Sequence, residues 1–308
     1  MSDALPPPEA PPEAPGSDAS RRGRRFRLNA RRRQRLQGLS FNRLLPNILT
    51  MLGLCAGLTA VRFAFDGRWE PALTLIVVAG AIDGIDGRLA RLLKATSRFG
   101  AEFDSLSDFV SFGVAPALVL YLWTLHDARG VGFIPCLMFA VCMALRLARF
   151  NASLDVAQVP LAKGVIPPPP KPAYAQSFFT GVPAPSGAGL ALFPVFASLA
   201  FEGWGLTGVA AVLRHPAFVA PLLVLVAALL VSTLPTWSFK NFKVPRDAVL
   251  PLLLGAAAYA ALLVAEPWAA LAAAGLIYFA LLPLASRSYL RLRQEAENLT
   301  VPAAPAAD

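Results

Sequence analysis

The chain of 308 residues is 56% hydrophobic and 15% charged, with a mean hydropathy of +0.55. An ordinary soluble domain, in which about a quarter of residues are charged, is thereby excluded. The net charge of +9 would suit nucleic acid, but ten of the 28 basic residues lie between Arg21 and Arg43, directly before the first apolar stretch, where they meet anionic headgroups. Nucleic acid is therefore not an expected partner; membrane lipids are.

Residues 1–20 are rich in Pro, Ala and Glu and contain no apolar run, so they are expected to be a disordered tail and not a cleaved signal peptide. Residues 21–43 form a basic juxtamembrane segment. Apolar stretches of about 20 residues, the length that spans a bilayer core, then recur to the end of the chain. The expected fold is all-α, a polytopic membrane helical bundle of about eight transmembrane helices. The spans are placed near Leu44–Phe65, Glu70–Leu93, Phe103–Leu125, Val131–Phe150, Gln176–Ala200, Pro216–Leu234, Ala248–Val264 and Pro267–Ser286. Pro167 to Pro170 cannot be helical and divides two groups of spans. The main membrane domain is set at residues 44–235, additional carboxy-terminal spans at 236–286 and a polar tail at 287–308. With the amino terminus cytoplasmic, 24 of the basic residues fall on the inner side and only Arg62, Arg68, Arg129 and Arg214 on the outer, which places both termini in the cytoplasm.

Cys55, Cys136 and Cys142 show no metal or redox spacing and are taken as packing residues. His126 and His215 fall in short loops on the outer side and are expected to be surface histidines.

Against this apolar background the stretch Asp83 to Asp108, DGIDGRLARLLKATSRFGAEFDSLSD, stands out. An ionisable group inside a membrane costs at least a few kcal/mol, so four aspartates there require a metal or a polar substrate. On helices, Asp83, Asp86, Gly87, Ala90 and Arg91 share one face, while Gly100, Asp104 and Asp108 recur every four residues on another. Two short-linked antiparallel helices would then point four carboxylates at one another, with Gly84, Gly87 and Gly100 leaving room for close approach or for a ligand. All-oxygen ligation favours hard ions, Mg²⁺ or Mn²⁺, with Ca²⁺ also able to sit there. The alternative is an ion-paired helix interface using Arg88 and Arg91.

The pattern Asp83-x2-Asp86-Gly87-x2-Ala90-Arg91-x8-Gly100-x3-Asp104-x3-Asp108 resembles, at every fixed position, the signature of the CDP-alcohol phosphatidyltransferases. These membrane enzymes transfer a phosphatidyl or related group from a CDP-linked donor to an alcohol and release CMP. The resemblance implies a six-helix catalytic core, a homodimer and a divalent metal held chiefly by Asp83, Asp86 and Asp104. It gives Asp108 as general base, also able to touch a second metal. Gly87, Ala90 and Arg91 would line the CDP site, with Gly84 and Gly100 beside them. Asn47 and Thr50, in Pro46-Asn-Ile-Leu-Thr50, match a stretch that borders the nucleotide pocket in relatives, although such residues also cap and pack helix starts. Ser97 and Arg98 lie where a diphosphate is expected.

Three further stretches resemble bacterial phosphatidylserine synthases of the membrane type: Asp104 to Pro116, Ala148-Arg-Phe-Asn151, and Phe179-Thr-Gly-Val-Pro-Ala-Pro185. The donor implied is CDP-diacylglycerol, the acceptor L-serine and the location a bacterial inner membrane. Arg146 or Arg149 would hold the serine carboxylate and Asn151 would hydrogen-bond the amino acid, or Arg149 would only anchor a helix end. Glycerol 3-phosphate and choline remain alternative acceptors with the same aspartates. A cation-coupled transporter is the alternative from another class, and it predicts mid-membrane carboxylates and inverted repeats. The last two or three spans carry almost no polar residues and are expected to be packing or dimer surface.

Overall fold

The structure is a computed structural model that describes residues 41–95, 97–158, 178–237 and 246–300. The tail, most of the basic segment, the Pro167 to Pro170 loop and the last eight residues lie outside the described residues. Ten α-helices are described. They are α1 (Phe41–Phe65), α2 (Trp69–Leu92), α3 (Arg98–Asp108), α4 (Ala115–Trp123), α5 (Arg129–Gln158), α6 (Ala184–Gly203), α7 (Thr207–Arg214), α8 (Pro216–Val231), α9 (Arg246–Ala265) and α10 (Pro267–Thr300).

Six stretches among the described residues are long and apolar enough to cross a membrane: Leu44–Phe65, Arg98–Trp123, Leu125–Ala152, Ala184–Gly203, Asp247–Ala265 and Pro267–Leu292. The chain is thus an integral membrane protein with an all-α bundle, as hydropathy implies. Helices α7 and α8, bent by 55° across His215, form a further broken span or a re-entrant turn. The expected count of eight is reached only by adding that pair and α2, which has the length but carries Asp83, Asp86, Arg88 and Arg91 near one end.

Two segments depart from the hydropathy reading. Hydropathy starts the fifth span at Gln176, but α6 begins only at Ala184. Ahead of it Phe178–Thr180 is a short strand, β1, paired antiparallel with β2 (Pro235–Trp237). Gly181, at φ +78°, and the extended Pro183 turn the chain between β1 and α6. Gly181 is obligatory in that turn, because a Cβ there would meet Ser232 O at 2.9 Å. In the third span, Phe109–Val114 forms a π-helical turn between α3 and α4. Ala115 N–H reaches back five residues to Val110 O, and Pro116 follows with no N–H to give.

Helix α1 is the wedge on which the site is built. It packs along α2 and also against α3, the π turn and α4, whereas α2 and α3 make little contact with each other. The expected antiparallel pair is therefore opened, leaving space between the two helices that carry the carboxylates. Ser107 Oγ donates to Thr50 O at 3.2 Å and Ser111 Oγ to Gly53 O at 3.3 Å, tying successive turns of the third span to α1. One turn on, Gly57 lets the backbones close, since a Cβ there would stand 2.5 Å from Ser111 Oγ and 3.0 Å from Ser111 Cα. Gly57→Val is accordingly expected to destabilise the protein by about 1–3 kcal/mol through overpacking. Thermal unfolding in detergent checks this, with Gly84→Ala as the contrast. A Cβ at Gly84 would meet no atom within 4 Å, so that change should leave the melting temperature level or slightly raised by helix propensity.

Candidate active site

Local signals at the junction of α2 and α3 set the geometry. Helix α2 ends with Lys94 in the left-handed region at φ 50°, and Ala95 N–H bonds back to Ala90 O at 2.9 Å, the pattern of a Schellman-type close. Ser97 then caps α3, its hydroxyl accepting from Gly100 N at 3.0 Å. These stops place the aspartates of α2 in its last turns and those of α3 in its second and third turns.

Asp83, Asp104 and Asp108 each offer a carboxylate oxygen, and the three oxygens lie within 4.8 Å of one another. Asp86 lines the same small pocket, together with Thr50, Ser107 and Ser111, and is only 3% exposed. Thr50 Oγ1 stands 2.7 Å from Asp86 Oδ2 and 3.1 Å from Pro46 O; its one hydrogen goes to the shorter, charged acceptor. Asp86 Oδ1 is buried with no hydrogen-bond partner.

An unpaired buried carboxylate oxygen, beside three carboxylates that repel one another, calls for a cation. Among the described residues the only ion pair is His126 with Asp127 at 3.2 Å, so the ion-paired interface with Arg88 and Arg91 is not formed. The donor set is all oxygen and suits a hard divalent ion such as Mg²⁺ or Mn²⁺. Asp83 and Asp86 lie in the second half of α2, toward its junction with α3.

Beside this pocket opens a cleft of about 480 Å³ between α1, α2, α3 and the end of α5. It is lined by Asn47, Thr50, Asp86, Gly87, Ala90, Arg91, Ser97, Arg98 and Gly100. Of the sequence-derived donor residues only Asp83 and Gly84 are missing from it: Asp83 belongs to the carboxylate pocket, and Gly84 faces open space. Gly100 is where close approach is real, since a Cβ there would lie 3.1 Å from both Asn47 Oδ1 and Ser97 Oγ. Pro46, which opens the Pro46-Asn-Ile-Leu-Thr50 stretch, also lines the cleft, as do Glu102 and Phe150, which nothing in their residue types singled out.

The three acceptor candidates separate. Asn151 lines the same cleft as the donor residues and accepts from Ser105 Oγ at 3.0 Å. Arg149 is exposed and donates to Val231 O at 2.9 Å, satisfying a carbonyl at the end of α8. Arg146, half-buried one turn earlier, donates through Nε to Val182 O at 2.6 Å and lies within Coulombic reach of Asp108 and Asp83.

The family model for CDP-alcohol phosphatidyltransferases matches residues 43–211, more than half of the chain, and includes every residue of the carboxylate pocket. The chain belongs to the CDP-alcohol phosphatidyltransferase family. A second family model, CDP-alcohol phosphatidyltransferase 2, matches residues 247–283, so the last two spans are not peculiar to this chain. The chain is 39% identical over 255 residues, 82% of each chain, to a protein of Mycobacterium tuberculosis named CDP-diacylglycerol–serine O-phosphatidyltransferase. It is 48% identical over 145 residues, 47% of this chain and 44% of the relative, to a protein of the same name from Mycobacterium leprae. It is 38% identical over 112 residues, 35% and 46% of the two chains, to an archaetidylserine synthase of Methanothermobacter thermautotrophicus.

Proposed function

We propose that this transferase moves the phosphatidyl group of CDP-diacylglycerol to L-serine, giving phosphatidylserine and CMP. The observation that carries the acceptor is the likeness, over 82% of both chains, to the relative whose name specifies serine; the archaetidylserine synthase shares that acceptor in its name.

In this reading the CDP group lies in the cleft. Arg91 and Arg98 face its diphosphate, Asn47 and Ser97 supply polar contacts, and Gly87, Ala90 and Gly100 leave room for the nucleotide. Asp83, Asp86 and Asp104 would hold Mg²⁺ or Mn²⁺, with Asp108 in reach of it, and the ion would supply charge neutralisation on the diphosphate. Asp108 takes the proton of the serine hydroxyl, whose own pKa is far above 7. The oxygen so freed attacks the phosphorus bonded to diacylglycerol, the bond from that phosphorus to the CMP phosphate oxygen breaks, and CMP leaves as an anion. Arg146, with four N–H groups beyond the one given to Val182, receives the serine carboxylate. Arg149 gives one N–H to Val231 O at the end of α8, on the exposed face, and Asn151 lines the cleft with the donor residues.

In this reading the aspartates and both termini face the cytoplasm across a bacterial inner membrane, where CTP-derived donors are made, and the excess of basic residues in the loops on that side supports it. A homodimer is part of the same reading, since the Asp247–Ala265 span buries none of its residues within the chain. The test is CMP release by purified protein in detergent with CDP-diacylglycerol and Mg²⁺ or Mn²⁺, comparing serine, glycerol 3-phosphate, choline and inositol. Release that depends on serine alone is expected. Release with glycerol 3-phosphate or choline in its place would leave the family standing and move the acceptor.

A further inference from the structure

Behind the carboxylate pocket lies a second, mostly apolar cavity of about 380 Å³, and Phe112 is the wall that the two spaces share. Gly80 and Ile76, three and seven residues before Asp83 on the same face of α2, line it on one side. A Cβ at Gly80 would touch the Phe112 ring at 3.6 Å. On the other side stand α6 and α10, which pack on each other while neither makes more than slight contact with α2. The cavity is therefore a gap between α2 and the α6–α10 pair. Val77, which also lines it, is 37% exposed, so the gap reaches the lipid-facing surface. Its two ends differ. The start of α6 lies at the aspartate end of the bundle, because Val182 O accepts from Arg146, and Asn151 of that same helix α5 accepts from Ser105 beside Asp104. Ser186, in the first turn of α6, lines the cavity at that end, and Phe196 lines it about 15 Å further along the helix.

We infer that this cavity receives one acyl chain of the donor, its ester end toward Ser186 and its methyl end toward Phe196. A diacylglycerol whose phosphorus sits among the aspartates sends its chains into the span, which is the direction from Asp83 to Gly80 and Ile76 and from Asp108 to Phe112. The cavity begins where the carboxylate pocket ends, grades from a hydroxyl to apolar side chains in that direction, and is open to the bilayer from which a lipid chain enters. Its volume admits one chain and not two. Gly189 keeps the space free, since a Cβ there would meet no atom within 4 Å. A chain held in the gap fixes the reacting phosphorus against the carboxylates, so the cavity serves alignment as well as affinity. The inference rests on the reading of the donor as CDP-diacylglycerol and is independent of which alcohol accepts.

The experiment fills the gap from Gly189 and asks whether the loss depends on chain length. Full-length wild type, Gly189→Leu and Gly203→Leu are compared in detergent for CMP release from CDP-dioleoylglycerol and from CDP-dihexanoylglycerol, with whichever alcohol the wild type uses. Gly203, at the far end of α6, also has open space around it but lies outside the cavity. For Gly189→Leu, kcat/KM with the dioleoyl donor should fall about tenfold or more, because a chain that cannot enter holds the phosphorus away from the carboxylates. With the dihexanoyl donor it should stay within about twofold of wild type, and Gly203→Leu should match wild type with both. An equal loss with both donors, or no loss with either, overturns the inference. A second measurement needs neither a variant nor turnover. CDP-diacylglycerol with a diazirine midway along both acyl chains, photolysed on the wild-type protein, should label peptides of α6 or α10, and excess CDP-dioleoylglycerol should prevent it. Labelling confined to other helices, or labelling that the unlabelled donor does not reduce, overturns the inference as well. Wild-type protein that releases no CMP from either donor with any of the four alcohols would instead overturn the donor reading, and this inference with it.

Discussion

Asp108→Asn is expected to lower kcat for CMP release by about 10²–10⁴-fold, the range lost when a general base is removed. The amide has nearly the shape of the carboxylate but cannot accept the hydroxyl proton. Asp108 also shares the carboxylate pocket with Asp83 and Asp104, within 4.8 Å, so a loss of activity alone would not separate base from metal ligand. The two roles part in the metal dependence. If Asp108 acts mainly as base, the Mg²⁺ or Mn²⁺ concentration for half-maximal activity and the KM for CDP-diacylglycerol stay near wild type while kcat falls. If a higher metal concentration restores the rate, Asp108 is instead chiefly a ligand.

Removal of divalent cations is expected to have the second large effect. Charge neutralisation on a transferring phosphoryl group is worth several kcal/mol, and each 1.36 kcal/mol is tenfold in rate, so EDTA should lower turnover by about 10³-fold or more. Mg²⁺ or Mn²⁺ should restore it, while Zn²⁺, which favours nitrogen and sulfur ligands, should restore it poorly. The same site gives a reading independent of turnover. Four carboxylates repel one another without a cation, and Asp86 Oδ1 has no partner in the protein, so Mg²⁺ or Mn²⁺ should raise the thermal midpoint in detergent. Asp86→Asn should weaken that rise, and a midpoint indifferent to metal in the wild type would contradict the assignment of the pocket.

The carboxylate pocket was legible because its spacing is helical on both sides of a short loop. Asp83 and Asp86 lie three apart and Asp104 and Asp108 four apart, so each pair faces one way whatever the packing. How the two faces meet was not legible, since that depends on α1, which packs against both α2 and α3 while those two make little contact with each other. The π turn at Phe109–Val114 had only Pro116 as a signal, and a proline in an apolar span more often marks a simple kink. Hydropathy runs the fifth span through β1 because Phe178, Phe179 and Val182 are as apolar as a helix start; the positive φ of Gly181 and the pairing with Pro235–Trp237 decide otherwise. Arg146 and Arg149 are equivalent in sequence, one turn apart on α5. Only the positions of Val182 and Val231 show that the second is committed to a helix end.

The most direct test of the central claim is transfer of radiolabel from L-serine into lipid by the purified full-length protein, with CDP-diacylglycerol and Mg²⁺ or Mn²⁺ in detergent. The expected result is labelled phosphatidylserine in amounts equal to the CMP released, with neither product formed by Asp108→Asn at comparable protein. CMP release without label in the lipid, or label transfer that persists undiminished in Asp108→Asn, would contradict it.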